Sequence, residues 1–109
     1  MEISHRQAEV CAALADYHRM MLLYAVADTP RSVSDLVRRV GLSQPAVSRH
    51  LRIMRESGVV VAERRGKSIF YIVKDRRIVQ AMDLLRTSLS EQMQQQGEVA
   101  HTAAQRPPI

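Results

Sequence analysis

Three observations in this 109-residue chain predict a mainly α-helical α+β fold, ordered α-α-α-α-β-β-α. Two short helical patterns, residues 34–40 and 44–56, are separated by a tight Gly41-Leu42-Ser43 turn. Two β-branched and aromatic runs, residues 59–64 and 68–73, flank Arg65-Gly66-Lys67 and read as a hairpin with a basic tip. From Asp75 to about Gln95, apolar residues recur every three or four positions, as in a helix facing another helix. A helix-turn-helix followed by such a hairpin is a winged helix-turn-helix.

Taken in order, residues 4–15 read as a first helix, with Ala8, Cys11, Leu14 and Ala15 at helical spacing. Asp16 ends it and caps a second helix over about residues 17–27. The run Met20-Met21-Leu22-Leu23-Tyr24-Ala25-Val26 is nearly all apolar, which predicts burial on most sides. Asp28-Thr29-Pro30-Arg31 breaks this helix. Ser32 or Ser34 caps the third, and Ser32-x-x-Asp35 resembles a capping box with Asp in place of Glu.

The fourth helix has the clearest signals. Ser43 caps it, and Pro45 in the first turn gives up only a donor that lacks an intrahelical partner. Gly58 follows Glu56-Ser57 and suits the left-handed position that closes a helix. At about 100° per residue, Val47, Leu51 and Met54 share one stripe, with His50 at its edge and assigned to packing. Gln44, Pro45, Ser48, Arg49 and Arg52 point the other way, and this face carries no carboxylate before Glu56. Amides, hydroxyls and arginines of this kind suit base edges and phosphates in a DNA major groove.

In the last helix the stripe is Ile78, Met82, Leu85 and Leu89, continuing to Gln92 or Met93. The winged core has its own apolar residues, so this seam is assigned to a second copy of the chain. Packing back on its own domain is the other reading. After Gly97 the periodicity fades towards Pro107-Pro108, so residues 97–109 are expected to form a loose tail on a domain of residues 1–96.

Composition sets the outer bounds. Hydrophobic residues make up 46% and charged residues 25%, which fits one globular domain rather than a disordered chain. The net charge of +5 favours an anionic partner, although a solvated basic surface would give the same sum. Location adds weight, because Arg38, Arg39, Arg49, Arg52, Arg55, Arg64, Arg65 and Lys67 all lie in or beside the helix-turn-helix and hairpin. No apolar run approaches the ~18 residues of a membrane span. The N-terminal residues lack the basic-then-apolar layout of a signal peptide, and Cys11 is the single cysteine. Cytoplasmic localisation is therefore expected. No phosphate loop or nucleophile elbow supports an enzyme.

Ala13-Leu14-Ala15-Asp16 with Arg19, Ser32-Val33-Ser34-Asp35-Leu36, Gly41 through Leu51, Gly58-Val59-Val60 and Arg64-Arg65-Gly66-Lys67 stand in a familiar order and spacing. From about Leu14 to Val73 the chain resembles the ArsR/SmtB family of bacterial transcriptional regulators. The resemblance implies a homodimer joined through its first and last helices, a two-fold symmetric double-stranded DNA operator, and in most relatives repression. Repression and activation both stay open for this chain. A winged domain used only for protein–protein contact is the alternative from another class, but such domains present acidic or apolar recognition faces.

Within that frame, Gln44 can pair bidentately with adenine and Arg49 with guanine, and Ser48 can reach base or phosphate. Ser43, Arg52, Arg64, Arg65 and Lys67 are assigned to the phosphate backbone, with Ser43 also a plain helix cap. Arg55 is open between phosphate contact and a solvated face.

The resemblance also raises metal sensing. One family site uses Cys-x-Cys at the start of the third helix, where this chain has Val33-Ser34-Asp35 and no thiol. The other uses carboxylates and imidazoles of the last helix, where Asp75, Arg77, Ser88 and Glu91 occupy the positions. Both imidazoles are missing there, so that site is broken. His5 with Glu9, and Glu98 with His101, stand one helical turn apart and could combine in a dimer as a nickel or zinc site. His18 is a further candidate. Isolated surface histidines near glutamates are the competing account. Cys11 lacks a second thiol for redox sensing and is assigned to the core.

Overall fold

The structure is a computed structural model that describes the backbone of residues 2–105 and the side chains of residues 2–97. The elements are α1 (Ile3–Leu14), α2 (Tyr17–Val26), β1 (Arg31–Ser32), α3 (Val33–Val40), α4 (Gln44–Glu56), β2 (Val60–Arg65), β3 (Ser68–Val73) and α5 (Arg76–Gln105). They group into two units, Met1–Val79 and Gln80–Ile109, with the division inside α5.

In the first unit the expected helix-turn-helix and hairpin are present, with one addition. β1 pairs antiparallel with β3, Arg31 opposite Tyr71 and Ser32 opposite Phe70, giving a three-stranded sheet in the order β1-β3-β2. Two residues cannot display a period-2 pattern, and only pairing with β3 makes them a strand. Between β2 and β3 the register runs from Val60 opposite Val73 to Arg65 opposite Ser68. Gly66 has φ 62° and no non-glycine residue among the described residues has positive φ, as a two-residue turn with Gly first requires.

The core of this unit is Leu22, Leu23 and Val26 of α2, Leu36 of α3, Val47, Leu51 and Met54 of α4, and Val59 and Val60 of β2's entry. Asp16 starts α2 by accepting from the backbone N–H groups of His18 and Arg19 at 2.9 and 3.1 Å. Ser32, not Ser34, caps α3 by accepting from the Asp35 N–H. Asp35 does not complete the box. Its carboxylate instead meets Arg31, Arg39 and Arg38 at 2.9, 3.2 and 3.5 Å.

The end of α4 is held by two backbone bonds. Val59 N–H donates to Met54 O at 2.9 Å and Gly58 N–H to Arg55 O at 3.0 Å, with Gly58 at φ 84°. This is a Schellman closure, and the fully buried Met54 and Val59 supply its apolar contact. The Arg6 guanidinium donates to the Ser57 carbonyl at 2.8 Å, just beneath the turn. A Cβ on Gly58 would stand 2.7 Å from that guanidinium nitrogen. Gly58→Ala therefore forces a left-handed alanine and displaces Arg6 from Ser57. A loss of about 1–2 kcal/mol of stability is expected, read as a lower urea midpoint.

Two expectations are corrected. Cys11 is exposed, as are Ala8 and Ala15, and α1 buries only Ala13 and Leu14. Helical spacing marks a face of α1 but not whether anything covers it. The last helix, whose apolar pattern fades near Gln95, continues through Gly97 to Gln105. A single interior glycine costs only about 1 kcal/mol relative to alanine, and the first proline after it is Pro107.

Candidate nucleic-acid interface

Helix α4 separates its two faces cleanly. Val47, His50, Leu51 and Met54 are buried, while Ser43, Gln44, Pro45, Ser48, Arg49, Arg52 and Arg55 are exposed. Ser43 Oγ accepts from the Ala46 N–H at 3.3 Å, so it caps the helix. Its O–H remains a donor for a phosphate oxygen. Gln44, Ser48, Arg49, Arg52 and Arg55 make no side-chain hydrogen bond or ion pair within the described residues. Their donors are therefore spent on nothing else among the described residues.

Several basic residues that contribute to the net charge do serve the fold. Arg19 donates to Ala13 O, Arg31 to Ala25 O, and Arg76 to Ala27 O. Each saturates a carbonyl near the end of a helix. Arg38 and Arg39 share Asp35, whose carboxyl is held below the usual carboxylate range chiefly by its hydrogen bond from Arg31. Asp35 offsets part of the charge of Arg31, Arg38 and Arg39, whereas a guanidinium bonded to a neutral carbonyl is fixed in place but keeps its charge.

On the wing, strand alternation puts Arg64 and Arg65 on opposite faces. Arg65 pairs with Glu63 at 3.1 Å and lies 5.6 Å from the Phe70 ring centroid. Arg64 and Lys67 have no such partner among the described residues. Exposed ion pairs are worth little, so a phosphate can displace Glu63 from Arg65.

The last-helix family positions do not fit a metal. Arg77 grips Asp75 through Nη2 at 2.7 Å and Nε at 3.1 Å, while Asp75 also accepts from the Arg77 backbone N–H. These bonds hold the Asp75 carboxyl down to about 2. A carboxylate so depressed contributes stability above its ordinary value and loses it as pH falls towards the folded value. Asp75→Asn is expected to remove the part of the acid-side stability slope between pH 3.8 and about 2.

Of the other metal candidates, His5 is exposed and Glu9 is engaged by Arg6 at 3.3 Å. The side chains of Glu98 and His101 lie outside the described residues. Among the described residues, one group of three brings ligating atoms together. Asp16, His18 and His50 place one ligand atom each within 4.8 Å of one another. In the sequence alone His18 is an isolated candidate, Asp16 a cap and His50 a packing residue. No sequence signal joins them, because α2 and α4 meet only in the folded unit.

The seam residues of α5 divide by depth. Ile78 and Met82 are half-buried, whereas Leu85 and Leu89 are 51% and 48% exposed. No helix among the described residues is long and apolar enough to cross a membrane.

Residues 16–61 match the family model for bacterial regulatory proteins of the arsR family. The chain is 40% identical over 76 residues to the HTH-type transcriptional regulator NmtR of Mycobacterium tuberculosis, an alignment covering 70% of this chain and 63% of that protein. It is 32% identical over 88 residues to the biofilm growth-associated repressor of Xylella fastidiosa, covering 81% and 77% of the two chains. The fold matches a Mycobacterium bovis homodimeric winged helix-turn-helix DNA-binding domain with a TM-score of 0.79, at 22% identity, over 85% of this chain and 86% of that one. The chain spans 63% of the length of NmtR, and by these alignments and its helix-turn-helix it belongs to the arsR family of bacterial regulatory proteins.

Proposed function

We propose that the chain acts in the cytoplasm as a homodimeric transcriptional repressor on a two-fold symmetric operator. The observation that carries this reading is the α4 surface: an exposed row of Gln44, Ser48, Arg49 and Arg52 with no side-chain partner among the described residues, backed by a buried apolar stripe. A rigid helix with unspent amide and guanidinium donors matches the major-groove edges of adenine and guanine. Ser43, Arg52, Arg64, Arg65 and Lys67 hold the backbone, which sets register without reading sequence. Arg55 joins them on the exposed face.

The second copy covers the stripe of Ile78, Met82, Leu85 and Leu89. Half-exposed leucines spaced four apart on a helix are costly in water and suit the same stripe of a second copy. Dimerisation sets the two α4 helices about one DNA turn (~34–36 Å) or a multiple apart. An effector, for which nickel or zinc suits the available nitrogen and oxygen donors, would bias the dimer between geometries that do and do not match this spacing.

The test is fluorescence anisotropy on the protein's own upstream DNA across a salt series. Arg49→Ala is expected to lose ~1–3 kcal/mol of discrimination between operator and random duplex. Lys67→Ala or Arg64→Ala is expected to weaken both duplexes together and lower the salt slope by ~1. Equal affinity of the unmutated chain for operator and random duplex would overturn the regulator reading and favour the protein-contact alternative.

A further inference from the structure

We infer that Asp16, His18 and His50 form a divalent metal-ion site that ties the start of α2 to the recognition helix α4. This rests on the reading of α4 as the DNA-contacting helix only for its consequence, not for the site itself.

The donor set comes first. Two imidazoles and one carboxylate suit borderline ions such as zinc, nickel and cobalt(II), and three protein ligands leave room for water. The ligand atoms lie within 4.8 Å of one another. Ligands bound at about 2.0–2.1 Å in a tetrahedron sit roughly 3.4 Å apart. Torsions of the half-buried Asp16 and His18 can close the remaining gap, while His50 is fixed in the core. The His18 and His50 rings already face the same space, with centroids 5.9 Å apart.

Asp16 Oδ1 serves as the α2 cap, and Oδ2 has no partner among the described residues. The cap therefore survives when the other oxygen takes a metal.

Arg19 makes the site a switch. Its Nη1 lies 3.2 Å from His50 Nδ1. A guanidinium only donates, so in this arrangement Nδ1 holds the lone pair and Nε2 the proton. A metal on Nδ1 displaces Arg19 directly. A metal on Nε2 sends the proton to Nδ1, which then cannot accept from Arg19. Either way the metal exchanges an α2–α4 hydrogen bond for a coordinate tether. Arg19 keeps its bond to Ala13 O, and the neighbouring cations Arg19 and Arg49 are the groups the ion must tolerate. His50 lies between Arg49 and Leu51 in α4, so the exchange acts directly beneath the base-reading face.

The experiment titrates cobalt(II) alone into the full chain, followed by zinc competition against a chromophoric chelator. One equivalent per chain with visible ligand-field bands is expected. His18→Gln and Asp16→Asn are each expected to weaken zinc by at least ~10-fold. Asparagine is as good a helix cap as aspartate, so the second variant keeps α2. Zinc should raise the melting temperature of the unmutated chain but not of His18→Gln. Unchanged metal affinity in both variants, or loss on His5→Gln instead, overturns the site. On DNA, zinc is expected to shift operator affinity at least ~5-fold, an effect absent in His18→Gln. Metal binding without that shift overturns the tether to α4. Absence of operator binding with and without zinc strikes the regulator reading, while the cobalt spectra still judge the site.

Discussion

Leu85→Asp combined with Leu89→Asp is expected to leave a folded monomer that binds its operator ~10²–10⁴-fold more weakly. Both leucines are about half exposed in the single chain, so the substitutions remove little that the chain itself buries. In the proposed dimer the same positions face their symmetry mates, and four aspartates would meet across an apolar seam without a counter-charge. Desolvating such charges costs several kcal/mol each. Each monomer would keep its α4 surface intact but lose the second half-site contact that linkage makes intramolecular. Sedimentation equilibrium reads the assembly, far-ultraviolet circular dichroism the fold, and anisotropy the affinity. A double variant that remains dimeric sinks the seam as the interface, whatever its effect on DNA.

The neighbouring residues Leu51 and Arg52 are expected to fail in opposite ways. Leu51 is fully buried beside Val47 and Met54, at the centre of the core that seats the recognition helix. Leu51→Ala deletes buried volume that the surrounding helices cannot fully reclaim, at a cost of ~2–5 kcal/mol. Against a typical total of ~5–15 kcal/mol, that loss unfolds a sizeable share of the chain at growth temperature. Arg52 is exposed and its side chain makes no hydrogen bond or ion pair within the described residues. Arg52→Ala is expected to change stability by less than ~0.5 kcal/mol and to lower the salt slope of DNA binding by ~1. Urea unfolding and a salt series separate the two effects. A stability loss in Arg52→Ala as large as that in Leu51→Ala would contradict the division of α4 into a packing face and a binding face.

Much of this was legible from local chemistry. Asp16, Ser32 and Ser43 cap their helices because a short side-chain oxygen can reach the free N–H groups of the next turn. Gly41, Gly58 and Gly66 mark left-handed turns because a Cβ is disfavoured there. The two faces of α4 follow from periodicity alone. Each of these signals is complete within a few residues, which is why sequence carries it.

What sequence could not show depends on residues meeting across the fold. The two-residue strand β1 exists through β3, and Cys11 is exposed because nothing in the described structure covers that face of α1. Arg6, Arg19, Arg31 and Arg76 read as surface charge until their carbonyl partners, supplied by helix ends, come into reach. The grouping of Asp16 and His18 with His50 is of the same kind. The sequence by itself determined the winged helix-turn-helix and the polar face of its recognition helix, through helix periodicity, caps and turns of short range. Only the tertiary structure decided which cations are spent on the fold and which carboxylate and imidazoles share one site, because those contacts join elements that the chain keeps apart.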